Sequence, residues 1–163
     1  MRVGLLSDSH DRVPALEAGL AILRERGVAM LLHAGDFVAP FAAKRLHPDV
    51  VGVPVHACYG NNDGERRGLR RVLPVVEEGP VRLELGGRVV VMDHFRDWLS
   101  ESDVAGADVV VTGHTHEASV EWDGHTLWVN PGEVCGWVTG RCSVAVLELG
   151  GDRPEAELVW FEG

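Results

Sequence analysis

The hydrophobic pattern in the first third of the chain alternates between short apolar runs and stretches with helical spacing. Predicted strands lie at residues 2–7, 29–33 and 50–59. Predicted helices lie at residues 13–26 and 37–46. Pro14 in the first turn and Gly27 just past the end delimit the first helix. This alternation indicates parallel strands joined by helical crossovers.

In the second half of the chain the pattern changes to a series of short strands. After the polar, arginine-rich stretch 61–71, strands are predicted at residues 75–78, 81–85, 88–92, 108–111, 118–122, 125–129, 143–149 and 155–161. Gly86-Gly87 and Asp123-Gly124 predict tight turns between neighbouring strands. One helix is predicted near residues 97–105.

These elements predict an α/β (α+β) fold of four layers, αββα, in which two sheets form a β-sandwich flanked by helices. The length of 163 residues is typical of one domain, so residues 1–163 are predicted to form a single domain. Five tryptophans are many for this length, and they are expected in the core or at a subunit interface. If they lie at an interface, the chain forms a homo-oligomer, which is therefore one prediction.

The formal net charge of −10 restricts the partners that the chain is expected to bind. It opposes the release of counterions that drives binding to long nucleic acids, so none is predicted as a partner. Bound divalent cations would offset this charge locally, and a small phosphate ester therefore remains an acceptable substrate. Polar residues interrupt every apolar run, so neither a signal peptide nor a membrane span is expected, and a cytoplasmic location is predicted.

The three cysteines, Cys58, Cys135 and Cys142, lack C-x-x-C spacing. They are expected to be reduced and partly buried.

Five of the predicted strands are followed by residue types that bind metal ions. The motifs are Ser7-Asp8-Ser9-His10, Gly35-Asp36, Gly60-Asn61-Asn62-Asp63, His94 and Gly113-His114-Thr115-His116. In extended backbone, the two-residue spacing of Asp8 and His10 would place both side chains on one side. Each motif alone is also typical of a turn or a helix cap. Their recurrence at successive strand ends, where open α/β sheets bind ligands, favours a metal site.

Taken together and in this order, the five motifs resemble those of the calcineurin-like metallophosphoesterase superfamily. The short chain resembles its compact bacterial and archaeal phosphodiesterases. The resemblance implies that one cation is bound by Asp8, His10 and His116, that another is bound by Asn61, His94 and His114, and that Asp36 bridges them. Oxygen and nitrogen ligands without a thiolate suit Mn²⁺, the first choice here, and also Fe²⁺, Zn²⁺ and Ni²⁺.

The resemblance implies hydrolysis of a small phosphodiester by a hydroxide that bridges the two metal ions. A phosphomonoesterase, or phosphatase, is the alternative enzyme. The rival from another class is a non-catalytic scaffold, since the superfamily includes a retromer-type subunit that binds partner proteins. All seven ligand positions are present here, which favours an enzyme. A nuclease of the superfamily would call for a basic groove or an added domain, and neither is visible.

The chain departs from the family pattern directly after the metal-binding asparagine. Many relatives carry a histidine there that is thought to protonate the leaving group, whereas this chain has Asn62. An amide donates a hydrogen bond but no proton near neutral pH, so a general-acid contribution of about 10²–10⁴-fold is expected to be absent. Asn62 and the neighbouring Asp63 are the candidate catalytic side chains.

Two further sets of residues lie near the motifs. Candidate contacts to phosphate oxygens are Arg12, Arg66, Arg67 and Arg96. The sequence Asn130-Pro131-Gly132 resembles a family turn that continues with serine, where this chain has Glu133, and it is expected to be structural. His33 is expected to support a ligand from behind.

Overall fold

The structure, a computed structural model that describes residues 1–163, contains eleven strands in two mixed sheets. The strands are β1 (Arg2–Leu6), β2 (Met30–His33), β3 (Val55–Cys58), β4 (Val76–Glu77), β5 (Val81–Leu85), β6 (Arg88–Met92), β7 (Val109–Val111), β8 (Ser119–Asp123), β9 (Thr126–Asn130), β10 (Cys142–Glu148) and β11 (Glu155–Phe161). One sheet has the order β11-β10-β1-β2-β3-β4, and the other has the order β5-β6-β7-β9-β8. Strands β1 to β4 are parallel, as are β6, β7 and β9.

The core lies in layers because successive strand residues point to opposite faces of a sheet. In β1, Val3 and Leu5 belong to the apolar cluster between the two sheets, which also includes Met92 and Val111. Leu6 belongs to a separate cluster with the helices on the outer face of the larger sheet. A third, smaller cluster covers the outer face of the other sheet. The predicted four-layer αββα arrangement is therefore confirmed.

The five α-helices mostly occupy the outer face of the larger sheet. They are α1 (Val13–Glu25), α2 (Pro40–Ala43), α3 (Pro48–Val51), α4 (Arg66–Val72) and α5 (Glu101–Val104). Helix α1 buries one stripe that includes Leu16, Leu20 and Leu23, which is the spacing of one helical face. It ends before Gly27, which has a positive φ of 66° as expected for a helix stop.

Two predicted segments were wrong in their bounds or type, and a third stretch forms a helix where no element was predicted. Residues 50 and 51 belong to helix α3 and not to a strand, because Pro48 starts that helix and His47 Nδ1 accepts the backbone N–H of Asp49. The helix predicted from residue 37 begins only at Pro40. The arginine-rich stretch forms α4, whose apolar anchors, Leu69 and the following Leu73, were hidden among charges.

The helix predicted near residues 97–105 is divided in two. A 3-10 turn covers Arg96–Trp98, and α5 begins after Ser100, whose side chain caps it together with that of Asp103. The predicted turn at Gly86-Gly87 is confirmed, and both glycines have positive φ. The second turn is shifted by one residue, since Asp123 pairs with Thr126 and leaves Gly124 and His125 at its tip.

The cysteines and tryptophans lie in different environments. All three cysteines are free and buried, as expected. The expectation that the tryptophans form core was wrong. Four of them are exposed, namely Trp98, Trp122, Trp137 and Trp160, and Trp128 is half-buried. No helix has the length and apolar character needed to cross a bilayer.

Candidate metal centre

The loops that follow five parallel strands meet at one edge of the sandwich. They follow β1, β2, β3, β6 and β7 and carry the seven side chains Asp8, His10, Asp36, Asn61, His94, His114 and His116. Backbone hydrogen bonds tie the loops together: His10 N–H donates to Asp36 O at 3.0 Å, and Gly113 N–H donates to His94 O at 2.8 Å. Because the strands end at the same edge, residues far apart in sequence become neighbours.

Around Asp8, two imidazoles face a buried carboxylate. Asp8 Oδ1 lies 3.7 Å from His10 Nε2 and 3.5 Å from His116 Nε2. The rings of His10 and His116 are stacked with their centroids 5.1 Å apart. These three side chains form one half of the cluster.

The other half is formed by one amide and two imidazoles. Asn61 Oδ1 lies 3.0 Å from His94 Nε2 and 2.8 Å from His114 Nδ1. The two halves share Asp36, whose Oδ2 is 3.4 Å from His10 Nε2 and 3.4 Å from His94 Nε2. The structure thus brings together all seven residues that the sequence motifs indicated as ligands.

Two of the histidines are oriented by hydrogen bonds at the ring nitrogen that faces away from the cluster. His94 Nδ1 donates to the backbone carbonyl of Ala34 at 2.7 Å, which leaves Nε2 facing Asp36. His116 Nδ1 lies 2.7 Å from Glu133 Oε2, and its Nε2 faces Asp8. Imidazoles held in this way through one nitrogen present the other to a metal ion.

The cluster has the properties of a cation site. Asp8 Oδ1 and His10 Nε2 are buried and have no hydrogen-bond partner in the protein. Buried polar atoms are otherwise almost always paired, because an unpaired one costs about 1–3 kcal/mol. A carboxylate, an amide oxygen and imidazoles are donors for divalent metal ions, and Asp8, Asp36 and His94 offer atoms within 4.8 Å of one another. The residues present therefore fit divalent metal ions.

The acidic side chains of the cluster and its histidines perturb each other's protonation. The carboxylates of Asp8 and Asp36 raise the pKa of His10 against the opposing effect of burial. Burial lowers the pKa of His94, but the neighbouring Asp36 outweighs it and the net shift is upward. Burial alone would raise the pKa of Asp36, whereas His94 and Asn62 hold it well below its usual range. The site accordingly favours positive charge next to Asp36.

Backbone geometry at the cluster is unusual. Five of the seven side chains belong to residues with positive φ, namely Asp8, His10, Asp36, His114 and His116. Left-handed backbone costs each non-glycine residue about 1–3 kcal/mol, and such residues concentrate at functional sites. The sequence-based argument from extended backbone at Asp8 and His10 was therefore wrong, although the two side chains do face a common point.

Close packing between loops explains two glycines that precede cluster residues. A Cβ on Gly60 would lie 2.1 Å from Asp36 Oδ1, and a Cβ on Gly113 would lie 1.8 Å from Ser7 Oγ. Neither position can hold a larger residue without moving a neighbouring loop. The glycines of these motifs allow the loops to approach each other.

Comparison with known proteins agrees with this geometry. The family model for the calcineurin-like phosphoesterase superfamily domain matches residues 1–152. The chain belongs to the calcineurin-like phosphoesterase superfamily. The phosphoesterases of this superfamily are hydrolases, and its metallophosphoesterases use divalent metal ions.

The chain is similar in sequence or structure to several phosphoesterases. A phosphodiesterase from Methanocaldococcus jannaschii is 33% identical over 156 residues, which are 91% of this chain and 93% of that protein. The structure of an archaeal phosphodiesterase superposes with a TM-score of 0.83 at 29% identity, covering 98% of this chain and 100% of that one. A phosphoesterase from E. coli shares the fold, with a TM-score of 0.75 at 23% identity over 91% of this chain and 89% of that one.

The two candidate catalytic side chains of this superfamily member have different surroundings. Asn62 is exposed and donates from Nδ2 to Asp36 Oδ2 at 2.7 Å, so its amide contacts a carboxylate of the cluster. Asp63 is buried, and its carboxylate accepts the backbone N–H groups of Asp36, Val38 and Gly60 at 2.7–2.9 Å. The structure corrects the prediction for Asp63, which holds two loops together and does not face a substrate.

Three of the four candidate arginines are engaged elsewhere on the chain. Arg12 donates to the backbone carbonyls of Cys135 and Gly163, which occupy both ends of its guanidinium group. Arg66 pairs with Glu78 and lies over the ring of Tyr59. Arg96 lies over the Trp128 ring and 3.8 Å from Glu121. The role of these three side chains in binding phosphate stays a prediction, as does that of the exposed Arg67.

Sequence reasoning missed the importance of Glu133. Its buried carboxylate binds His116 and also accepts backbone N–H groups from Trp137, Val138 and Thr139. Burial would raise the pKa of Glu133, but hydrogen bonds from His116, Thr139 and Cys135 outweigh it and lower the pKa to about 2. The available signal was an acidic residue between Gly132 and an apolar pair in an otherwise buried segment.

Two other buried side chains lie close to the cluster, and one of them, Cys135, offers a sulfur within 4.8 Å of ring nitrogens of His10 and His116. The Cys135 thiol donates to Glu133 at 3.1 Å, and burial together with this carboxylate raises its pKa to about 12. His33 Nε2 lies 3.2 Å from Ser9 Oγ, so His33 supports the loop that follows β1 and contacts no cluster side chain directly.

Proposed function

We propose that this protein is a metal-dependent phosphodiesterase that hydrolyses a small phosphate ester at a pair of divalent cations. The observation that carries the proposal is the position of Asp36 Oδ2, equidistant at 3.4 Å from a histidine of each half of the cluster. One oxygen shared by two sets of donors is what a bridged metal pair requires. Membership of the phosphoesterase superfamily supplies the class of reaction.

In this proposal each half of the cluster holds one cation. Asp8, His10 and His116 bind the first, Asn61, His94 and His114 bind the second, and Asp36 bridges them. Bound cations would polarise the phosphate oxygens and lower the pKa of a water molecule that attacks phosphorus. Mn²⁺ is the first choice for both positions, with Fe²⁺, Zn²⁺ and Ni²⁺ as alternatives.

The cluster is buried on one side and exposed on the other, so a small ester could reach it from the exposed side. Asp8, Asp36 and His94 are buried and form its floor. Asn61 and Asn62 are exposed and form part of its rim. An ester that reached this rim would meet the Asn62 amide, which can donate a hydrogen bond to a phosphate oxygen.

One observation favours a diester over a monoester, and a second concerns the leaving group. The relative that is 33% identical is named a phosphodiesterase, and the chain covers 93% of it. Asn62 supplies no proton to a leaving group, so a substrate with a good leaving group is expected to react fastest. A series of aryl diesters should therefore show rates that rise steeply as the pKa of the released phenol falls.

The proposal is tested by removing and restoring the metal ions. Protein stripped with a chelator should retain its circular dichroism spectrum, lose hydrolysis of bis(p-nitrophenyl) phosphate and regain it with Mn²⁺. The Asp36→Asn variant should stay inactive after reloading, whereas the matched Asp49→Asn variant, altered at a side chain that is 91% exposed, should match the wild type. Turnover that survives metal removal or the Asp36→Asn change would contradict the proposal. Bound metal without hydrolysis of diester or monoester would favour the scaffold.

A further inference from the structure

Two large apolar side chains are exposed to solvent next to the cluster. Trp137 is 62% exposed and Val138 is 69% exposed. The centroid of a Trp137 ring lies 6.3 Å from that of His10, with the ring planes 32° apart. Since His10 is itself stacked on His116, the indole continues a row of rings that begins inside the cluster.

The segment that carries these two side chains is firmly held. The backbone N–H groups of Trp137, Val138 and Thr139 donate to the Glu133 carboxylate at 2.9, 3.1 and 2.6 Å, and the Thr139 hydroxyl donates at 2.7 Å. The same carboxylate binds His116. One buried group therefore fixes the backbone that carries the indole relative to a side chain of the cluster. Apolar surface that is held in solvent in this way is typical of a binding surface.

We propose that Trp137, extended by Val138, is a platform on which a flat aromatic group of the phosphodiester substrate stacks. The inference rests on the proposed function, because it takes the phosphate to lie at the cluster beside His10. It commits the substrate to a diester in which one organic group is aryl or a nucleobase.

The charges of the chain favour stacking as the means of holding that group. The net charge of −10 disfavours binding of an anionic substrate away from the metal ions. Arg12, Arg66 and Arg96 make their contacts elsewhere. A neutral indole binds a flat π system without needing opposite charge.

The first test measures binding without turnover. Diphenylphosphinate and dimethylphosphinate have the single negative charge of a diester but no ester bond. Calorimetry on Mn²⁺-loaded protein should show that the change Trp137→Ala weakens binding of diphenylphosphinate about 10-fold and leaves binding of dimethylphosphinate unchanged. Trp137→Phe should retain most of the affinity. Trp122→Ala, which removes a tryptophan that is 42% exposed near the far end of β8, should have no effect.

Kinetics then identify the aromatic group. Methyl, phenyl and thymidine 5′ esters of p-nitrophenyl phosphate release the same phenolate. A loss of kcat/KM in Trp137→Ala that is largest for the thymidine ester assigns the platform to a nucleobase, and one that is largest for the phenyl ester assigns it to an aryl group. All three esters share the aromatic p-nitrophenyl group, so the deciding outcome is the binding experiment: equal weakening of both phosphinates by Trp137→Ala would overturn the inference.

Two more outcomes distinguish the stacking platform from the proposed activity and from a subunit interface. If wild-type protein binds diphenylphosphinate through Trp137 but hydrolyses none of the esters, the proposed function fails and the platform stands. If sedimentation shows that Trp137→Ala converts a dimer to a monomer, the two side chains form an interface between copies of the chain, and the inference is wrong.

Discussion

The carboxylate of Asp63 accepts the backbone N–H of Asp36 at 2.9 Å, so a buried acid in one loop holds the backbone of a cluster acid in another. The same carboxylate accepts from Val38 at 2.8 Å and from Gly60 at 2.7 Å. Asp63 thereby satisfies donors on both loops that enclose Asp36. Its neighbours in sequence face the cluster, whereas its own side chain faces the backbone.

The change Asp63→Asn should therefore destabilise the protein. An amide cannot accept all three hydrogen bonds without turning its own N–H toward a donor, and a lost bond to a buried charged group costs about 1.5–3 kcal/mol. Urea unfolding monitored by circular dichroism should show this loss, and metal content should fall with it. Asp49→Asn should leave both quantities unchanged. An unaltered unfolding midpoint in Asp63→Asn would show that the loops do not depend on this carboxylate.

Replacing Glu133 should weaken metal binding through His116. Glu133→Gln keeps the size of the side chain but removes the charge that orients His116 Nδ1, and such changes typically cost 10- to 100-fold in affinity. Competition with a fluorescent chelator measures that affinity, and the ¹⁵N shifts of the His116 ring report its tautomer. Glu117→Gln, which alters an exposed acid directly after His116, is the matched control. Equal affinity in both variants would show that Glu133 does not support the metal site.

Two loops approach each other closely at Gly60 but not at Gly64. Replacing each glycine with alanine should therefore change stability differently. Gly60→Ala would place a Cβ 2.5 Å from the backbone nitrogen of Asp36, so it should destabilise by about 1–3 kcal/mol and disturb the bridging carboxylate. Gly64→Ala meets nothing within 4 Å and should be neutral or slightly stabilising. Thermal unfolding and Mn²⁺ content distinguish them. Similar behaviour of the two variants would mean that the loops have room to separate.

Because His33 is buried, the stability of the metal-free protein is predicted to depend on pH. Burial lowers the pKa of His33 to about 3, from an ordinary value of 6.5. Below pH 6.5 the unfolded chain takes up a proton there, and the folded chain does so only near pH 3. This contribution to stability is therefore full above pH 6.5 and is lost as the pH falls toward 3.

At pH 5 the loss from His33 should be about 2 kcal/mol relative to pH 7. His33→Gln should have a correspondingly flatter dependence of its free energy of unfolding on pH, measured in urea with a chelator present. His125→Gln, altered at an exposed turn, should keep the wild-type slope. Parallel curves for wild type and His33→Gln would show that His33 is not the group responsible.

The positions of most strands along the chain and the residues of the cluster were largely accessible from sequence. Strands such as Val81–Leu85 and Arg88–Met92 have the predicted bounds, because an alternating pattern in the first and an apolar run in the second end at turn residues and leave little ambiguity. The seven cluster residues were found because they follow strands that run in the same direction. Their convergence depends on topology, which the alternation of elements indicates.

The parts that sequence could not supply depend on long-range packing. Helix α4 consists mainly of charged residues and is helical because Leu69 packs into the core. The inward orientation of Asp63 and the role of Glu133 follow from backbone amides brought near by other loops. The backbone at Asp8 and His10 is left-handed because tertiary contacts such as Asp8 N–H to Gly35 O stabilise it. None of these contacts leaves a local pattern.

The most direct test of the central claim is an electron paramagnetic resonance spectrum of Mn²⁺-loaded protein with its metal content measured alongside. Two Mn²⁺ ions per chain that share Asp36, about 3.5–4 Å apart, should give the multiline spectrum of an exchange-coupled pair. Asp36→Asn should convert it to the signal of isolated ions or lose metal altogether. One Mn²⁺ per chain in the wild type, or two without coupling, would contradict the claim that this cluster holds a bridged pair.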